Sequence, residues 1–284
     1  MNIFKKNYNI VDDIEELRKY LSIERWFVYG HAWGATLALA YASRHPLRTA
    51  SLLLVSVQLN LALAPLGAAA DSARAAREAS ADVALGAQLL DSSLDAAARR
   101  GAARELIRRE IKHSFAPADV ALGEECNAWL DDDEIILPWA AISAWFRRHD
   151  FFLEDFADAE EEEEEENEGG EKEEEEEAGA GAGVGRRGGA KSEGSVELRF
   201  ARRAAEAIAL HDIDVALVHG ACDRVANPAN AASLHALIAA AHAHHGSTAT
   251  LTHRVAAGAG HSEQSPGLRH AVIEIGDRLL LYFA

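Results

Sequence analysis

Apolar positions along this chain fall into runs of distinct spacing, and each spacing predicts an element. Ile10, Ile14, Leu17 and Leu21 recur at helical intervals after Asn9, a residue suited to a cap, with Asp12, Asp13 and Glu15 near the positive end of the dipole. They predict an amphipathic helix of about three turns. Trp26 to Tyr29 and Ser51 to Val57 are continuous apolar runs instead, as expected of strands buried on both faces of a parallel sheet. Between them an Ala/Leu-rich helix runs from Thr36 to Arg44 and ends at His45-Pro46, because the residue before proline is pushed out of the helical region.

From Leu63 to Leu122 the chain is rich in Ala, Arg and Leu, carries no proline between Pro65 and Pro117, and reads as helical. Trp129, Trp139, Trp145, Phe146, Phe151 and Phe152 follow, the core of a small helical unit that can also wall a pocket over the sheet. Beyond a polar stretch come a helix from Glu197 to Leu210, a buried strand Val215–His219 and a helix after Pro228. An alternating strand from Thr248 to Val255 and a closing helix from Leu268 to Tyr282 complete the chain. The pattern predicts an α/β protein whose mostly parallel sheet is interrupted by a helical cap. Residues 1–60 and 196–284 form the two parts of the core, 61–157 the cap and 158–195 an insert.

Charge changes this picture only locally. The net charge is −18, but Asp158 to Glu177 hold fifteen acidic residues and one lysine, which leaves the rest of the chain nearly neutral. Like charges followed by glycines predict disorder for the insert. With no basic patch, no nucleic-acid partner is expected. Two distant cysteines, Cys126 and Cys222, predict neither a disulfide framework nor a metal site. The absence of an apolar leader or a membrane-length run predicts a soluble, cytoplasmic protein with no membrane partner.

The candidate chemistry begins where the first strand breaks, at Gly30-His31-Ala32-Trp33-Gly34. Strand, G-x-x-x-G, helix is the order of the nucleophile elbow of an α/β-hydrolase, in which glycines allow strand and helix to close on a strained apex residue. The apex here is Ala32, whose methyl group cannot attack a carbonyl. Such a hydrolase needs nucleophile, acid and histidine in that chain order. Asp223 follows the strand Val215–His219, and His261 follows the strand ending near Val255, so both fit.

A family resemblance rests on these segments together: Asp12 to Arg18, Ile23 to Trp26, Gly34 to Ala42 with His45-Pro46, Val218-His219-Gly220 through Asp223, and Ala259 to Ser262. They resemble the proline iminopeptidases, serine-type α/β-hydrolases, and Arg148-His149-Asp150-Phe151 is similar to a segment of that family's cap. The resemblance implies release of an N-terminal proline from peptides through an acyl-enzyme, without metal or organic cofactor. It implies the nucleophile at position 32, the acid at Asp223, the base at His261, an oxyanion donor in the backbone N–H of Trp33, and a peptide or small-molecule ligand under the cap. Arg147, His149 and Phe151 are the implied substrate contacts.

The departures are as specific. Ala32 stands for the family's serine and His31 for its usual glycine. Arg147 stands for an acidic residue that helps bind the substrate's free amine. The family also places several strands and a His-Gly-Gly-Pro-Gly oxyanion loop before the first helix read here, so an incomplete core with an open strand edge is expected. Losing one oxyanion donor costs on the order of 3 kcal/mol of transition-state stabilisation. Three outcomes follow: a proline iminopeptidase-like hydrolase inactive for want of its nucleophile, a non-catalytic pseudoenzyme that binds a ligand or a partner, or an esterase relative on the same fold.

Overall fold

A computed structural model describes residues 7–59, 61, 69–149 and 195–281. Its centre is a four-stranded sheet, parallel throughout, with strands in the order of the sequence: β1 (Trp26–His31), β2 (Thr49–Val55), β3 (Asp214–Gly220) and β4 (Leu251–Ala256). β2 and β3 are continuous apolar runs because both faces of the sheet are covered there, whereas β1, expected to be buried on both faces, is only partly covered and leaves Tyr29 42% exposed. Leu52, Leu54, Val215 and Leu217 pack toward α1 (Asn7–Tyr20), α2 (Trp33–Arg44), α7 (Val196–Leu210) and α8 (Pro228–His245), around Tyr41, Phe200, Ile208 and Leu234. Leu53, Val55, Ala216 and Val218 point the other way, onto Leu268, Ala271 and Ile275 of α9 (Pro266–Leu281).

Between β2 and α7 the chain leaves the sheet to build a separate helical core. This cap comprises α3 (Ala69–Leu90), α4 (Ala96–Ser114), α5 (Val120–Cys126) and α6 (Asp133–Arg148), joined by short 3-10 turns at Pro117–Asp119 and Asn127–Asp131. Leu106, Ile107, Ile136 and Ala140 are fully buried at its centre. The long helical run expected from Leu63 is broken at residues 91–95. There Asp91 accepts from the Ser93 N–H, and Asp95 caps α4 by accepting from the Ala98 N–H. The first helix starts at Asn7, two residues before the expected cap, and α2 starts at Trp33, directly after the apex residue Ala32 and three residues before the expected Thr36. Of the expected insert only Ser195 is described; it caps α7 by accepting from the Leu198 N–H.

Candidate active site

Parallel strands put their C-terminal ends on one edge of the sheet, and the loops leaving that edge meet there. Ala32 follows β1, Asp223 follows β3 and His261 follows β4. The elbow is as tight as its motif suggests. Ala32 has φ 55° and ψ −121°, a region L-residues avoid, and its N–H donates to the Val55 carbonyl at 2.9 Å. A Cβ at Gly30 would lie 2.3 Å from the Gly34 carbonyl oxygen, so only glycine fits. Gly34 differs from expectation: a Cβ there meets nothing within 4 Å, so the close approach is made by Gly30 alone. Trp33 is the first residue of α2, where an N–H has no acceptor within the helix.

His261 Nδ1 donates to Asp223 Oδ2 at 2.8 Å, which leaves Nε2 as the basic nitrogen of the ring. The Asp223 carboxylate is held from both sides. Its Oδ1 accepts from the N–H groups of Val225 and Ala226, both at 2.8 Å, and its Oδ2 lies 3.1 Å from Nε2 of the fully buried His219. Burial on its own raises the Asp223 pKa, but the hydrogen bonds from His219 and His261 hold it well below the usual carboxylate range. His31 packs its ring 4.9 Å from that of His261 and donates from Nε2 to the His261 carbonyl at 2.9 Å. Burial, with His261 nearby, pushes its pKa down to about 4, so it is neutral at neutral pH.

These groups open onto a cavity of about 530 Å³ beneath the cap, a size suited to a small organic ligand. Ala32, Trp33, His31 and His261 line it from the sheet side, and Trp129, Trp139, Phe146 and Arg147 from the cap. Trp33 packs against Phe146 with ring centroids 4.6 Å apart and the planes tilted by 50°, joining elbow to cap. Arg147 is not the bare cation the sequence suggests. Its Nη2 donates to Glu110 Oε1 at 2.8 Å, and the same oxygen accepts from Ser143 Oγ. His149 is not among the lining residues; its Nδ1 donates to the Trp145 carbonyl at 2.9 Å. Phe151 lies outside the described residues.

Among the described residues no three His, Cys, Asp or Glu side chains gather as metal ligands would, and no helix is long and apolar enough to cross a membrane. Four features escaped the sequence reading. Glu110 sits on a helix charged on most sides, where nothing singles out one glutamate. His219 lay inside a recognised motif, but its contact with Asp223 depends on how the loop after β3 turns back. The other two are the close packing of Gly260 on the cap backbone, with a would-be Cβ 2.6 Å from the Ala116 nitrogen, and the Ser262 N–H donating to the Ser114 carbonyl at 2.8 Å.

A parallel sheet with its elbow, acid and histidine loops on one edge, under a helical lid, decides the architecture. The chain has the α/β-hydrolase fold. A family model described as alpha/beta hydrolase fold matches residues 5–98. A lipase candidate from Acinetobacter baumannii has a similar structure, with a TM-score of 0.54 and 15% identity over 99% of this chain and 69% of that one. Sequence likeness is local. A proline iminopeptidase from Xylella fastidiosa is 55% identical over 47 residues, 16% of this chain and 15% of its own length. The proline iminopeptidase of Arabidopsis thaliana is 46% identical over 52 residues, 18% of this chain and 14% of its own length. The matched segment thus spans about a seventh of those relatives.

Proposed function

We propose that this chain is a proline iminopeptidase-like member of the hydrolase fold that holds a peptide or other small molecule beneath its cap and forms no acyl-enzyme. One observation carries the reading: the residue at the apex of the strained elbow, lining the same cavity as the Asp223-bonded His261, is Ala32. The base and its carboxylate are ordered for proton transfer, but the methyl group offers no atom to bond to an acyl carbon. Local identity to proline iminopeptidases supports the descent. The apolar cavity supports ligand binding.

Restoring the hydroxyl tests both halves. The native chain is expected to leave a prolyl arylamide and a 4-nitrophenyl acyl ester unhydrolysed above the rate of a His261→Ala control. Ala32→Ser is expected to raise turnover of at least one of them by a hundredfold or more, since loss of a serine nucleophile alone costs on the order of a millionfold. The preferred substrate of Ala32→Ser separates peptidase from esterase ancestry. Turnover of the arylamide by the native chain, abolished in His261→Ala, overturns the proposal.

A further inference from the structure

The cavity is mostly apolar, with Ile111, Phe115, Trp129, Trp139, Ile142 and Phe146 on its walls. Against that background one polar cluster stands out on the cap side: Glu110 of α4 facing Ser143 and Arg147 of α6. Ser143 and Arg147 are one helical turn apart, so both reach the same carboxylate. The side chains of Glu110 and Arg147 are 14% and 26% exposed, and the two charges cancel within one ion pair. Burying either charge alone against these aromatic walls would be costly; the pair makes the cluster tolerable.

The pair is not used up by its own contacts. Arg147 spends Nη2 on Glu110 and directs Nε at Ser143, while Glu110 receives both of its partners on Oε1. Among the described residues these contacts leave Arg147 Nη1 as a donor and Glu110 Oε2 as an acceptor, and both residues line the cavity that also holds His261. A donor and an acceptor on one ion pair, with no net charge, match a group carrying one of each. An ammonium group would be drawn to Glu110 but repelled by Arg147, and a carboxylate would meet the reverse. A neutral amide satisfies both: its carbonyl accepts from Arg147 and its N–H donates to Glu110.

We propose that Glu110, Arg147 and Ser143 form the recognition end of the cavity and select ligands in which a neutral amide is joined to an apolar or aromatic body. The inference rests on the reading of the cavity as a ligand site, and it names the ligand class. Three probes of one shape test it: 3-phenylpropanamide, 3-phenylpropylamine and 3-phenylpropanoate, titrated into the full chain by calorimetry with tryptophan fluorescence in parallel. The native chain is expected to bind the amide at least tenfold more tightly than either charged probe. Arg147→Met leaves the Glu110 charge alone and is expected to move the preference to the amine; Glu110→Gln leaves Arg147 alone and is expected to move it to the carboxylate.

The outcomes are distinguishable. Binding of all three probes with equal affinity, or one order of preference in all three proteins, overturns the clamp and leaves the cavity standing. Failure of the native chain to bind any of them overturns the cavity reading and the clamp with it. Should either variant fail to give the native circular dichroism spectrum, the native order of affinities alone decides: a charged probe bound as tightly as the amide rejects the proposal.

Discussion

Gly30 and Gly34 flank the same elbow but meet opposite surroundings. At Gly30 the space is already full, because the Gly34 carbonyl lies 2.3 Å from where a Cβ would sit. Gly30→Ala must therefore push strand from helix, and we expect a loss of at least about 3 kcal/mol in urea unfolding, or no folded protein. Gly34→Ala, with nothing within 4 Å of its Cβ, is expected to cost little or to stabilise α2. The motif showed that glycine mattered around the apex but not which glycine, since that depends on how β1 enters the turn. His31 offers a pH test. Free histidine titrates near 6.5 and His31 near 4, so between those values the unfolded chain takes up a proton that the folded chain does not. Its contribution is complete above 6.5 and is lost as the pH falls toward 4. In His31→Gln the stability lost between pH 7 and 5 is expected to shrink by about 2 kcal/mol.

Helices and strands were legible where one period dominates. The inner strands β2 and β3 read as apolar runs because two layers of helices cover them, and the helix after Pro228 announced its own start; Asn227 caps it by accepting from the Ala229 N–H. The Glu15–Arg18 pair was hidden inside an amphipathic pattern. On α1, Arg18 donates from Nε and Nη2 to Glu15 at 2.8 and 2.7 Å, and Tyr41 Oη on α2 donates to the same carboxylate at 2.8 Å. Charged residues on a helix normally face water, so the sequence offers no sign that these two are buried between helices. The hydrogen bond from Arg18 holds the Glu15 pKa at about 2. The depressed carboxylate stabilises the fold above pH 4.5 and its contribution is lost as the pH falls through about 2. Glu15→Gln is expected to lose roughly 3 kcal/mol at pH 7, because Arg18 is left buried without its counter-charge, and to show a smaller further loss on acidification.

At the scale of the molecule, cap and sheet meet through the histidine loop more than through any helix of the core. Ser262 donates to the Ser114 carbonyl, Gly260 packs on the backbone at Ala116, Ser265 Oγ donates to Asp119 at 2.6 Å, and Cys126 Sγ lies 3.4 Å from Gln264. The placement of Ala32, Asp223 and His261 on one sheet edge was readable because each follows a strand, whereas these ties join segments nearly 150 residues apart and leave no local signature. A ligand under the cap is expected to slow hydrogen exchange in residues 114–126 and 259–265 together. Protection confined to one of the two segments would show that the cap and the loop move independently.

Those ties give the cavity a gauge. Were a bulky guest to displace α4 or α5, these ties would pull on the segment that carries His261, while Asp223 is held separately by the N–H groups of Val225 and Ala226. Displacing the cap is thus expected to separate the imidazole from its carboxylate, so that with serine restored at position 32 an oversized guest would fail at proton transfer rather than at the door.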